Sequence, residues 1–125
     1  IPKLLSESDV VCVSSNFETF CIPIIEGFAA GIPAISTDCI GPREIINKKT
    51  GILTPISNVE KYADAIINMK KNYKKYNSNE IKKYVREKYD KSVISKKIIN
   101  LCNKIKNSWM LFFTSYASNL DTYFG

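Results

Sequence analysis

Glu18 and Glu26 are the only charged side chains between Val10 and Thr37, and seven residues separate them. A stretch this apolar is expected to be mostly buried, and a buried carboxylate without a partner is costly. The pair therefore needs either fixed protein partners or a ligand that supplies hydrogen-bond donors. A ligand carrying vicinal hydroxyls and a phosphate would suit it. Carboxylate oxygens accept from sugar hydroxyls, and such charge-assisted bonds are stronger than neutral ones. The structural alternative is that Glu26 simply favours a helix N-terminus.

The flanking residues say how the pair is held. Val10–Ser15 is a short apolar run rich in β-branched residues, as in a strand covered on both faces. Asn16–Cys21 reads as a loop. Pro23 suits the first turn of a helix that continues through Ile24–Ala30 and ends at Gly31. That helix is apolar nearly all round and is expected to be buried, with Glu26 in its first turn. Pro33–Asp38 reads as a second strand, Gly41-Pro42 as a turn, Pro42–Asn47 as a short helix and Gly51–Pro55 as a third strand. Strands and helices alternating through short connections imply parallel strands with right-handed crossovers, and the class is α/β. In such sheets ligands bind beyond the carboxyl ends of the strands. Glu18 and Glu26 fall there, beside the backbone N–H groups of Phe20, Cys21 and Ile22 at the positive end of a helix.

From Ser57 onward the pattern is helical. Asn58 is a candidate N-cap for a helix marked by Val59, Tyr62, Ala63, Ile66, Ile67 and Met69. A further helix is predicted over Asn79–Tyr89, with Ile81, Tyr84 and Val85 inward, and another over Ser92–Ser108. Lys3–Asp9 reads as a helix end. The domain expectation is a lobe over residues 1–107 and an aromatic-rich tail over 108–125.

Composition narrows the function classes. The chain has 125 residues and a net charge of +6. Residues 1–59 hold 4 basic and 6 acidic side chains, whereas residues 60–107 hold 14 and 5. The positive charge thus belongs to the later helices, where a solvated amphipathic face is expected rather than a nucleic-acid surface. There is no histidine, and Cys12, Cys21, Cys39 and Cys102 form no Cys-x-x-Cys pair, so neither a zinc site nor any other metal is expected. Cys12 reads as a core residue, and reduced thiols in a cytoplasmic setting are expected. No secretory signal or membrane span is visible. The opening Ile-Pro-Lys-Leu-Leu reads as the middle of a fold, so a fragment is expected.

The run from Glu18-Thr-Phe-Cys-Ile-Pro-Ile-Ile-Glu26 through Gly-Phe-Ala-Ala-Gly-Ile-Pro to Gly41-Pro-Arg-Glu44 resembles the donor-site signature of retaining GT-B glycosyltransferases, glycosyltransferase family 4. The strand residues before it and Gly51-Ile-Leu-Thr-Pro after it fit the same pattern, over roughly residues 1–70. The resemblance implies part of a Rossmann-like C-terminal lobe. It implies that Glu18 contacts donor-sugar hydroxyls beside the reacting carbon, as the catalytic-site residue. Glu26 would hold the ribose, and the amides of Phe20, Cys21 and Ile22 would bind donor hydroxyls and phosphate. The implied substrate is a UDP- or GDP-sugar, used without a metal or other cofactor. The implied partners are an N-terminal acceptor-binding domain, absent from this sequence, and an anionic membrane surface for a peripherally attached parent.

Two departures bear on activity. The family usually has Gly where this chain has Thr19 and Cys21, and such glycines let backbone approach the donor closely. The family's phosphate-binding Arg and Lys, and its acceptor lobe with a histidine, lie outside these residues. The chain alone is expected to be inactive, and a non-catalytic nucleotide-sugar-binding or interaction module is the alternative. For Glu44 capping or a salt bridge is expected, for Arg43 exposure, and for Asp38 a turn cap.

Overall fold

The computed structural model describes residues 2–124, with side chains described for 3–110. The chain divides into two compact units, Ile1–Tyr89 and Asp90–Gly125. The first contains α1 (Pro2–Ser6), β1 (Val11–Val13), α2 (Ile22–Ala30), β2 (Ala34–Thr37), α3 (Ile40–Ile45), β3 (Gly51–Thr54), α4 (Val59–Asn72), a 3-10 turn (Tyr73–Lys75) and α5 (Ser78–Tyr89). The second is α6 (Lys91–Phe124). It begins where Asp90 accepts from the Ser92 N–H at 2.8 Å. This helix runs on past Ser108 without a break, and the aromatic side chains expected beyond Met110 lie outside the described residues.

Among the described residues the strands form one parallel sheet in the order β1-β2-β3. Val11 pairs with Ala34, and Ala34 with Gly51. The α/β class and the parallel crossovers follow the sequence expectation. All four residues of the central strand β2 are buried, and alternation sends them to opposite faces. Ala34 joins a core with Ile24, Phe28, Ile45, Ile81 and Val85, under α2 and α5. Ile35 joins a second core with Ala65 and Met69, under α4.

Several expectations are corrected. The strand covered on both faces is β2, not β1. In the described sheet β1 is an edge strand, with Val11 and Val13 half-buried and Cys12 exposed, so Cys12 is not a core residue. Helix α2 is buried on one side only. Ile24, Gly27 and Phe28 face the core, whereas Ile22, Pro23 and Ala29 are exposed. In α4 the buried stripe is Tyr62, Ala65 and Met69. Val59 is 83% exposed and Ile67 52%, because helical phase admits only one i, i+3, i+7 row to the sheet. Helix α3 starts at Ile40, ahead of Pro42.

The capping chemistry is as expected at two points. Asn58 Oδ1 accepts from the Lys61 N–H at 2.9 Å. Gly31, at φ 85°, ends α2 in the left-handed conformation that glycine adopts without cost. Gly41 does something the sequence did not suggest. A Cβ at this position would lie 2.6 Å from the backbone of Thr19 and Phe20. Helix α3 therefore presses directly on the loop that carries Glu18.

The corrected phase of α4 predicts unequal costs. Met69→Ala should lose about 2–5 kcal/mol of stability, and Ile67→Ala less than about 1 kcal/mol. Equal midpoints in urea unfolding would contradict the phase. Gly41→Ala should cost about 1–3 kcal/mol in the same measurement, because the obstructing atoms are backbone and cannot rotate away.

Candidate functional site

The loop between β1 and α2 lies at the carboxyl end of the strands. Its start is pinned through the Ser15 carbonyl, which accepts from Thr37 Oγ1 and from Cys39 Sγ, the latter at 3.0 Å. Its middle is pinned by the Gly41 N–H, which donates to the Glu18 carbonyl at 2.9 Å. Both ties come from residues 37–41, which span the end of β2 and the start of α3. The loop is thereby held by backbone and short side chains rather than by apolar burial. That is why Phe20 (49%) and Ile22 (59%) can stay exposed within so apolar a sequence.

Glu18 finds its partners inside the protein. Its Oε1 accepts from the N–H groups of Thr19 at 2.9 Å, Phe20 at 3.3 Å and Cys21 at 3.3 Å. Three successive amides thus converge on one anionic oxygen, the arrangement that backbone uses to bind phosphates and carboxylates. Two of the three amides assigned to a ligand from sequence, those of Phe20 and Cys21, are engaged by Glu18. The Thr19 amide was not anticipated, and no residue-type signal marks it. Phe20 also sets its ring edge-on to Tyr89, with centroids 5.9 Å apart.

Cys21 precedes α2 with φ 58° and ψ 68°, a left-handed conformation unusual for a residue with a side chain. Its side chain is buried, and burial pushes the thiol pKa up, with the Glu18 carboxylate adding to the shift. The thiol is therefore protonated and serves packing. Because α2 begins at Ile22, Glu26 is its fifth residue and stands in the second turn, not the first. It is half-buried, four residues from Ile22 on the same flank, roughly 6 Å along the helix axis. Its carboxylate has no hydrogen bond or ion pair among the described residues.

The remaining candidates pair with one another. Arg43 Nε donates to Asp38 Oδ1 at 2.8 Å, and a second guanidinium nitrogen to the Asp38 carbonyl at 3.1 Å. Asp38 therefore accepts from Arg43 rather than capping a turn. Glu44 is exposed on α3. It helps to raise the pKa of Lys88, whose main support is the hydrogen bond from its ammonium to Tyr84 Oη at 3.0 Å. Among the described residues no group of three or more His, Cys, Asp or Glu could hold a metal ion. Among them, too, no helix is long and apolar enough to cross a membrane.

Comparison with known proteins bears on this layout. Residues 1–88 match the family model described as glycosyl transferases group 1. A probable sucrose-phosphate synthase from Thermosipho melanesiensis is 38% identical over 96 residues, covering 76% of this chain and 22% of that protein. A GDP-mannose-dependent alpha-mannosyltransferase from Mycobacterium tuberculosis is 36% identical over 71 residues, covering 55% of this chain and 19% of that protein. The crystal structure of Anabaena Alr3699/HepE in complex with UDP superposes with a TM-score of 0.75 at 20% identity. It covers 83% of this chain and 30% of that one. The chain thus spans between about a fifth and a third of these relatives, and its α/β fold is that of GT-B glycosyltransferases. On its sequence match and its fold, the chain belongs to the group 1 family of glycosyl transferases.

Proposed function

We propose that this chain supplies the donor-binding part of a retaining glycosyltransferase, one that moves a sugar from a nucleoside-diphosphate sugar to an acceptor hydroxyl. The observation that carries this reading is the convergence of the Thr19, Phe20 and Cys21 amides on a single anionic oxygen at the carboxyl edge of a parallel sheet. Amides that satisfy a carboxylate oxygen can equally satisfy a phosphate or hydroxyl oxygen. Glu18 would then turn from these amides to the hydroxyls of the donor sugar. Glu26, with no partner among the described residues, would take the ribose diol. The amides of Phe20, Cys21 and Ile22 would bind donor hydroxyls and the diphosphate. A UDP complex of a structural relative and the GDP-mannose dependence named for a sequence relative support a nucleoside-diphosphate donor, and both bases stay open.

The departing diphosphate would need cationic neutralisation. Within the loop that task has no side chain, and Arg43 is already engaged by Asp38. The rest of the site would come from the remaining length of a parent, together with its acceptor domain, and the chain alone would bind without turning over. The localisation that goes with this reading is a cytoplasmic parent, peripheral to a membrane, in which Cys12, Cys21, Cys39 and Cys102 stay reduced.

The two glutamates should separate in assay. In the parent enzyme Glu18→Gln should lower kcat by at least about a hundredfold, as expected for a group that acts near the reacting carbon. Glu26→Ala should weaken UDP or GDP binding about tenfold or more, the loss of a charge-assisted pair of bonds, and should change kcat far less. Titration calorimetry and steady-state kinetics read the two effects. Wild-type values in both variants would sink the assignment.

A further inference from the structure

Phe20 carries the middle of the three amides that converge on Glu18. Its ring is half-exposed and joins neither of the two cores among the described residues. A loop residue with so little burial opens easily. If the peptide planes beside it are to stay aimed at one oxygen, a neighbour must steady the ring.

That neighbour is Tyr89. The two rings meet edge to face, with centroids 5.9 Å apart and planes at 73°, an arrangement that aromatic pairs favour. Tyr89 is the last residue of α5. It lies in one helical row with Ile81 and Val85, at successive steps of four residues. Ile81 and Val85 are buried in the core under α2, and Tyr89 packs against that core at its margin. Burial pushes the Tyr89 phenol pKa up, so the side chain stays uncharged. At the other end of α5, Ser78 closes on Gly31, where α2 stops. Helix α5 therefore runs back along α2, and its last residue returns to the loop from which α2 starts. The core row fixes the rotation of α5, and the Gly31 contact fixes its height. The Tyr89 ring is thus presented to Phe20 by a helix that cannot withdraw it.

We infer that Tyr89 is a positioning residue of the donor site, holding the Phe20 ring so that the Thr19, Phe20 and Cys21 amides stay aimed at one oxygen. Its effect on nucleotide binding rests on the donor-binding reading above; its effect on the loop does not. Gly41 seats the loop from the α3 side and Tyr89 seats it from the α5 side. Amides already ordered before a ligand arrives spare that ligand the cost of ordering them. An aromatic pair of this geometry is worth roughly two- to tenfold in an equilibrium constant, and an effect of that size is expected here.

Amide hydrogen exchange followed by NMR on the 125-residue chain tests the inference, with UDP and GDP titrated into the same samples. Tyr89→Leu keeps an apolar side chain but removes the ring. It should speed exchange at Thr19, Phe20 and Cys21 several-fold relative to the β2 amides, and weaken UDP or GDP roughly two- to tenfold. Tyr89→Phe, which keeps the ring edge, should restore both. Phe20→Leu should match Tyr89→Leu, and the double variant should add little, because each change removes the same contact. Phe20 is half-exposed, so Phe20→Leu carries the test if Tyr89→Leu does not fold. A purely structural role for Tyr89 would speed the loop and β2 amides by one common factor, and that result overturns the inference. So does unchanged loop exchange in Tyr89→Leu or Phe20→Leu, or a Tyr89→Phe chain that behaves like Tyr89→Leu. Loop exchange that responds beside unchanged nucleotide affinity overturns the role in donor binding. Loop exchange that responds in a chain whose wild type takes neither UDP nor GDP overturns the donor reading and leaves the positioning of the loop standing.

Discussion

The contact on which the site depends is the seat of the Glu18 loop on Gly41. One hydrogen bond, from the Gly41 N–H to the Glu18 carbonyl, fixes the middle of the loop. The missing Cβ of Gly41 lets Thr19 and Phe20 lie against α3 closer than any other residue would permit. With its position set there, the loop has little choice in its last residues. It must reach Ile22, where α2 starts, and it does so by placing Cys21 in the left-handed region. The same turn directs the Thr19, Phe20 and Cys21 amides to one point. The convergence of amides and the strain at Cys21 are therefore two results of a single packing constraint. A residue with a side chain in that conformation costs of order 1–3 kcal/mol. The buried Cys21 side chain, packed among Ile24, Phe28 and Ile81 in one core, offsets part of it.

The opposite end of α2 is governed by similar close packing. Gly27 lets the helix sit on Val11 of β1, and Gly31 brings its C-terminus against Ser78 and Lys82 of α5. A helix held at both ends and in the middle cannot slide along the sheet. This matters for Glu26, which has no partner among the described residues and takes its position from the helix. Glu18 is placed differently: it lies on a loop and is held by hydrogen bonds that a competing ligand oxygen could replace. One carboxylate is positioned by a rigid element and the other by exchangeable bonds, which is consistent with a division of labour between a fixed contact and a movable one.

Much of this was legible from residue types, because the strongest signals are local. Pro23, Gly31 and Asn58 mark helix ends through covalent geometry and capping, and the structure has helix ends at each of them. The alternation of apolar runs with helical segments specified a parallel sheet through the crossover rule. What the sequence could not specify was decided by tertiary neighbours. Val10–Ser15 and Pro33–Asp38 are similarly apolar, yet only the second is central in the described sheet, and nothing local distinguishes them. The isoleucines of α4 suggested a broad apolar face, whereas the sheet accepts only the row of Tyr62, Ala65 and Met69. The roles of Gly41 and Cys21 were hidden for another reason: one acts by an absent atom, the other by a dihedral angle that cysteine rarely adopts.

The two carboxylates within an apolar segment are also less buried than their surroundings imply. A need for partners follows from full burial, yet Glu18 and Glu26 are each only half-buried. The desolvation penalty is correspondingly smaller than for a fully buried charge. Glu18 nevertheless collects three amide donors, more than solvation would demand of a group with access to water. The amides are the group in need: at the N-terminus of α2 they have no helical acceptor of their own. Glu18 satisfies them from one, two and three residues before, and any ligand oxygen that displaces it must do so equally well. Phosphate and sugar oxygens meet that requirement, whereas an apolar ligand would leave the amides unpaired. The chemistry of the loop thus selects oxygen-rich ligands through the backbone, and the two glutamates refine a selection that the fold has already made.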